Sequence, residues 1–171
     1  MTSTQLPTTE YAPFYAPYVN ALGDVNLIEE LEISLHDFIR FVQNIPMDKF
    51  DYRYAEGKWD IKEIIQHVID TERIFAYRAL RISRNDQTPL PGFDENDYVN
   101  NTQATNRSIQ DLLTEFSAVR HSNLFLFNSL SDEQLKRVGM ASNAAVSVRA
   151  VGFIIIGHQK HHQKVFHERY L

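Results

Sequence analysis

A chain of 171 residues with 43% apolar and 23% charged side chains has the length and make-up of one globular domain with a sizeable core. Its net charge of −5, with lysines and arginines scattered rather than clustered, argues against a nucleic-acid footprint. It has no cysteine, which excludes disulfides, thiolate metal sites and cysteine nucleophiles, so any protein-held metal must use His, Asp or Glu.

Residues 1–23 carry Pro7, Pro13 and Pro17 among Tyr11, Phe14, Tyr15 and Tyr18. Prolines at this density oppose a regular helix, and the aromatic content predicts an arm packed on the body or on a partner subunit. Its opening, Met1 to Pro7, has neither the basic nor the apolar region of a signal peptide. Residues 24–171 read as a single domain.

A first helix is predicted after Asp24, because Leu27, Ile28, Leu31, Leu35, Phe38, Ile39 and Val42 recur at intervals of three and four. Pro46 closes it. A second opens at Asp60, whose side chain can cap the helix while Glu63 reaches back. Its stripe of Ile61, Ile64, Ile65, Val68, Phe75, Ala79 and Ile82 runs to about Arg84. Residues 85–105 are polar, contain Pro89, Pro91 and Gly92, and show no helical period. So long a connector suits a diagonal crossing of a bundle end better than a tight hairpin.

A third helix begins near Ser108, with Asp111 placed for another capping box, and carries Leu112, Leu113, Phe116, Val119, Leu124, Phe127 and Leu130. Ser131 to Gln134 predicts a short capped turn ending at Gly139. A fourth helix starts near Ser147 and runs almost to Leu171. The longest apolar run, Val151 to Ile156, is far too short to span a bilayer. No strand, repeat or low-complexity segment stands out. The expectation is an all-α four-helix bundle, cytoplasmic, with no membrane partner.

Four of the seven histidines lie in the last fourteen residues: His158, His161, His162 and His167. His158 and His162 are one helical turn apart and fall within the apolar stripe of Val151, Ile154, Ile155 and Val165, whereas His161 falls at its edge and His167 off it. An unpaired buried polar group costs roughly 1–3 kcal/mol, so two inward imidazoles need two partners or one metal ion. Two histidines at i and i+4 can share a metal; the competing reading is a surface helix with solvated histidines. His67 in the second helix can face the interior as a third ligand. Three neutral imidazoles with positions left for water would form an open, catalytic-type site. His36 and His121 lack partners at useful spacing. Glu63 is accounted for by capping. Asp70 could orient His67, though solvation suits it better. Trp59 reads as a packing anchor. Gly157 either makes room for a close helix or ligand, or is simply tolerated.

The stretch from Trp59 to Arg73, containing Glu63, His67 and Glu72, resembles the helix-two signature of the DinB/YfiT-like superfamily. Leu90 to Asp94 resembles the segment that follows it. Gly157-His158-Gln-Lys-His161-His162, with Glu168-Arg169-Tyr170 behind it, resembles the closing motif. The resemblance implies an up-down-down-up four-helix bundle, usually a homodimer, with a divalent metal, nickel or zinc, on His67, His158 and His162. It implies a small-thiol-dependent S-transferase, in which the metal ionises the thiol. A metal-dependent hydrolase acting on a small molecule through activated water is the alternative. A non-catalytic, metal-stabilised dimeric binding or stress protein is the third reading.

Overall fold

The computed structural model describes residues 1–171. Four long helices dominate: α2 (Leu27–Gln43), α3 (Ile61–Ser83), α5 (Ile109–Asn128) and α7 (Val148–Arg169). Each starts on a side-chain cap. Asn26, Asp60, Ser108 and Ser147 accept from backbone N–H groups of the first turn, which satisfies donors the helix itself leaves free. At Asp60 the capping box is reciprocal: Glu63 N–H donates to Asp60 and the Asp60 N–H to Glu63. At Ser108 it is not, because Arg107 takes the Asp111 carboxylate.

The contacts give the direction of every helix. Leu27 meets Gly152, Ser34 meets Gln159 and Phe41 stacks on Phe166, so α2 and α7 run parallel. Trp59 meets Tyr170 and Phe75 meets His158, so α3 opposes α7. Gln66 meets Arg107 and Glu72 meets Arg120, so α3 and α5 are parallel. The order is up-down-down-up. Both α2 and α3 pack on α5 and α7. No helix is long and apolar enough to cross a membrane.

Three segments differ from the sequence reading. Residues 1–23 form three 3₁₀ turns and then a short helix, α1 (Ala16–Asn20). Pro17 sits in its first turn, where a missing N–H costs nothing. Leu6, Tyr11, Val19 and Leu22 are buried in the core, and Glu10 pairs with Arg149 at the start of α7. The 85–105 connector holds a short helix, α4 (Glu95–Asn100), capped by Asp94. Residues 138–147, read as free of strand, form an antiparallel hairpin of β1 (Val138–Ala141) and β2 (Ala144–Ser147), after the predicted turn α6 (Asp132–Leu135). Its turn residues Ser142 and Asn143 have φ of 51° and 62°, the left-handed pair a tight hairpin requires. Leu90 exchanges backbone hydrogen bonds with Met140 and Ser142, which docks the connector onto the hairpin.

The interior has two apolar clusters. One gathers the arm, the hairpin and the first half of α7; the other gathers the later half of α2 and the early turns of α3 and α5. Between them lies a polar layer to which all four long helices contribute.

Candidate metal centre

Within that layer α7 points two neighbouring side chains in different directions. Gln159 turns into the bundle. Its amide accepts from Arg120 at 3.0 Å and donates to the Ser34 carbonyl at 3.2 Å. Arg120 is fully buried, and each of its five N–H donors has an acceptor: both Glu72 oxygens, the Leu31 carbonyl, Ser34 Oγ and Gln159. Asn123 adds a hydrogen bond to Glu72 at 2.9 Å. This network is closed.

His158 turns the other way. Its Nε2 lies 3.0 Å from His67 Nε2 and 3.1 Å from His162 Nε2. The three rings converge at mutual centroid distances of 4.6–4.9 Å. The i, i+4 step of α7 and the antiparallel crossing of α3 produce this convergence. Burial, then the nearby His161, pushes His67 down to about 4. Burial, then the neighbouring histidines, lowers His158 and His162 well below the ordinary imidazole value. At neutral pH all three are therefore uncharged, the form that ligates a metal.

The donor set suits an ion. Three ring nitrogens face one point, and two metal–nitrogen bonds of about 2.0–2.1 Å can span spacings near 3 Å. Without an ion, the converging nitrogens have only each other. Thr71 Oγ1 stands 3.4 Å from His67 Nδ1, on the side that leaves Nε2 free when Nδ1 carries the proton. His162 Nδ1 is the one buried side-chain nitrogen or oxygen without a partner.

The trio forms one end of a cavity of about 440 Å³. Its walls come from four parts of the chain: Phe14, Tyr15 and Tyr18 of the arm; Trp59, Phe75 and Arg78 beside or on α3; Phe93 and Glu95 of the connector; and Ala141, Ser142 and Ala144 of the hairpin. Trp59 lies 4.9 Å from the His67 ring, and Tyr18 packs edge-on to His158 at 5.6 Å. Gly157 permits that approach: a Cβ there would meet the Tyr18 carbonyl oxygen at 2.4 Å. The glycine makes room for a close helix.

The other candidates separate. His161 is exposed at the cavity wall beside Tyr18, and His167 is exposed against Phe41. His36 and His121 are exposed on other helices. Asp70 does not orient His67; it pairs with Gln66 and Arg73, and Thr71 faces the ring instead. Trp59 does more than anchor the helix start, since it covers a candidate ligand. The arm and hairpin walls have no local signature in the sequence, because folding brings them from opposite ends of the chain.

The DinB superfamily model matches residues 30–166, from the first turn of α2 to the last turn of α7, which includes all three histidines. The chain belongs to the DinB superfamily. A relative from Oceanobacillus iheyensis, named "Putative metal-dependent hydrolase OB0413", is 22% identical over 137 residues, covering 79% of this chain and 78% of its own. The structure of YfiT from Bacillus subtilis, described as "a probable metal-dependent hydrolase with an unusual four-helix bundle topology", superposes with a TM-score of 0.75. It is 18% identical, over 95% of this chain and 93% of that one. That likeness gives this DinB-superfamily chain its fold: the up-down-down-up order found in the helix contacts is a four-helix bundle of the YfiT kind.

Proposed function

We propose that this protein is a metal-dependent hydrolase of small molecules, with His67, His158 and His162 as the protein ligands of a divalent nickel or zinc ion. The observation that carries this reading is the convergence of three buried Nε2 atoms at the end of an open, aromatic-walled cavity. The names given to the two relatives agree with it. When bound, such an ion supplies a Lewis acid that makes water nucleophilic at neutral pH. The chain's own groups do the rest. Burial keeps the imidazoles free of protons, Thr71 fixes the face that His67 presents, and Trp59, Tyr18 and Phe75 exclude bulk water and seat the apolar part of a substrate.

A second reading keeps the centre and replaces water with a small thiol, making the protein an S-transferase. The cavity of about 440 Å³ has room for a thiol or for a hydrolysable substrate, so the assays below separate the two.

Metal analysis after dialysis tests the centre. About one divalent ion per chain is expected for the wild type, and none for His158→Ala or His67→Ala. Undiminished stoichiometry in the variants would sink the ligand assignment. An ester and amide panel run beside a thiol-conjugation probe on metal-loaded protein separates the chemistries. Hydrolysis is expected, and conjugation without hydrolysis would transfer the assignment to the S-transferase.

A further inference from the structure

Three arginines are buried in this protein: Arg78, Arg120 and Arg149, at 3%, 0% and 8% exposure. A buried guanidinium ordinarily has a carboxylate against it, because an isolated interior charge is costly. Arg120 has Glu72 and Arg149 has Glu10. Arg78 has none. Its Nη2 donates to the Pro91 carbonyl at 3.0 Å and to Ser142 Oγ at 2.8 Å, while Nε and Nη1 have no acceptor in the protein and, unlike His162 Nδ1, are not sealed from solvent. The group is held in place by neutral partners, with its charge uncompensated.

Its position makes that charge useful. Arg78 lines the same cavity as the three histidines. The Phe75 ring lies 5.5 Å from the Arg78 guanidinium carbon and 6.4 Å from the His158 ring, so a single aromatic residue separates the cation from the metal centre. Glu95, the one carboxylate on the cavity wall, stands exposed and forms no ion pair with Arg78. The remaining walls are largely aromatic, which favours a flat apolar body.

The geometry points to Arg78 as the anchor for a carboxylate on the substrate, with a ring-bearing or otherwise apolar body lying along Phe75 toward the histidines. This rests on the cavity being the substrate site, as proposed above, and adds the substrate class: apolar organic acids whose reacting bond lies about one ring's length from the carboxylate. The clamp to Pro91 and Ser142 then serves binding by fixing the guanidinium before the substrate arrives.

Phenylacetate and phenylacetamide share a shape and differ in charge, so their affinities test the anchor directly. Both are titrated calorimetrically into the full chain after chelator treatment, which keeps the carboxylate from simply coordinating an ion. The wild type is expected to prefer phenylacetate by at least about tenfold, as hydrogen bonds to a charged group warrant. Arg78→Met should abolish the preference and leave phenylacetamide binding unchanged. Absence of a preference in the wild type, or its survival in Arg78→Met, overturns the assignment. Should Arg78→Met fail to fold, Arg78→Lys decides. Weakened phenylacetate with unchanged phenylacetamide supports the anchor, whereas equal loss of both shows a structural clamp only. His158→Ala should lose metal yet keep the carboxylate preference, so failure of the metal reading and failure of the anchor give different results.

Discussion

His158 and Gln159 are adjacent on one helix at the same level of the bundle, yet their surroundings follow opposite rules. Around Gln159, every donor of Arg120 is matched and the Glu72 carboxylate is fully engaged. Around His158, three lone-pair nitrogens face one another and a fourth ring nitrogen, His162 Nδ1, has no partner. Both are buried polar clusters, and burial alone does not tell them apart; satisfaction does. A closed network ties four helices in register. An open one is a cost tolerated where a ligand will complete it. Arg78 extends the contrast, being held in place like Arg120 but lacking its counter-charge.

The sharpest way to break this comparison is to delete one member of each cluster. Arg120→Met leaves Glu72 charged and buried, and should lower the unfolding free energy by about 3–5 kcal/mol. His158→Leu, a substitution of similar size, removes a group with no fixed donor. It should change the stability of chelator-treated protein by less than about 1 kcal/mol while abolishing metal binding. Urea denaturation of both variants decides. Equal losses would mean that the histidine cluster is structural as well.

Gly157→Ala comes next in size. The added Cβ would lie 2.4 Å from a backbone oxygen of α1, and backbone cannot swing aside as a side-chain end can. The expected cost is about 1–3 kcal/mol, with the arm displaced from the cavity. Faster proteolysis within residues 1–23 and weaker phenylacetamide binding should accompany it. If the arm stayed protected, the Tyr18 wall would not depend on this close approach.

What the sequence made legible follows from how local each signal is. The caps at Asp60 and Ser108 could be read because cap and capped groups lie within a turn of each other. The pairing of His158 with His162 could be read because the helical period fixes their relation. His67 needed one further step, an antiparallel partner helix. The hairpin stayed hidden because Val138 to Ser147 is mostly alanine, serine and other small residues, and its larger apolar side chains Val138 and Met140 face outward while Gly139 and Ala141 face in; the left-handed Ser142-Asn143 turn was its best local sign. Arg78 and Arg120 were hidden more deeply. An arginine in an amphipathic helix looks solvent-facing until the connector, hairpin or opposite helices close over it.

The smallest expected effect concerns the arm's other tether. Burial raises the Glu10 pKa, but hydrogen bonds from Arg149 and Ser147 outweigh it and hold the carboxylate below its ordinary value. A carboxylate whose folded pKa is depressed contributes stability above its unfolded pKa and loses it as pH falls through the folded one. The tether should therefore hold at neutral pH and fail below about pH 4. The pair is partly buried, so its contribution is about 1 kcal/mol or less. Glu10→Gln should remove the acid-triggered part of arm release while leaving the bundle's midpoint nearly unchanged. Limited proteolysis between pH 7 and pH 3, read against the bundle's circular dichroism, separates the two events. If arm and bundle were lost together in both proteins, the arm would be part of the cooperative core, and the aromatic wall over the histidines would be as rigid as the Arg120 network beneath it.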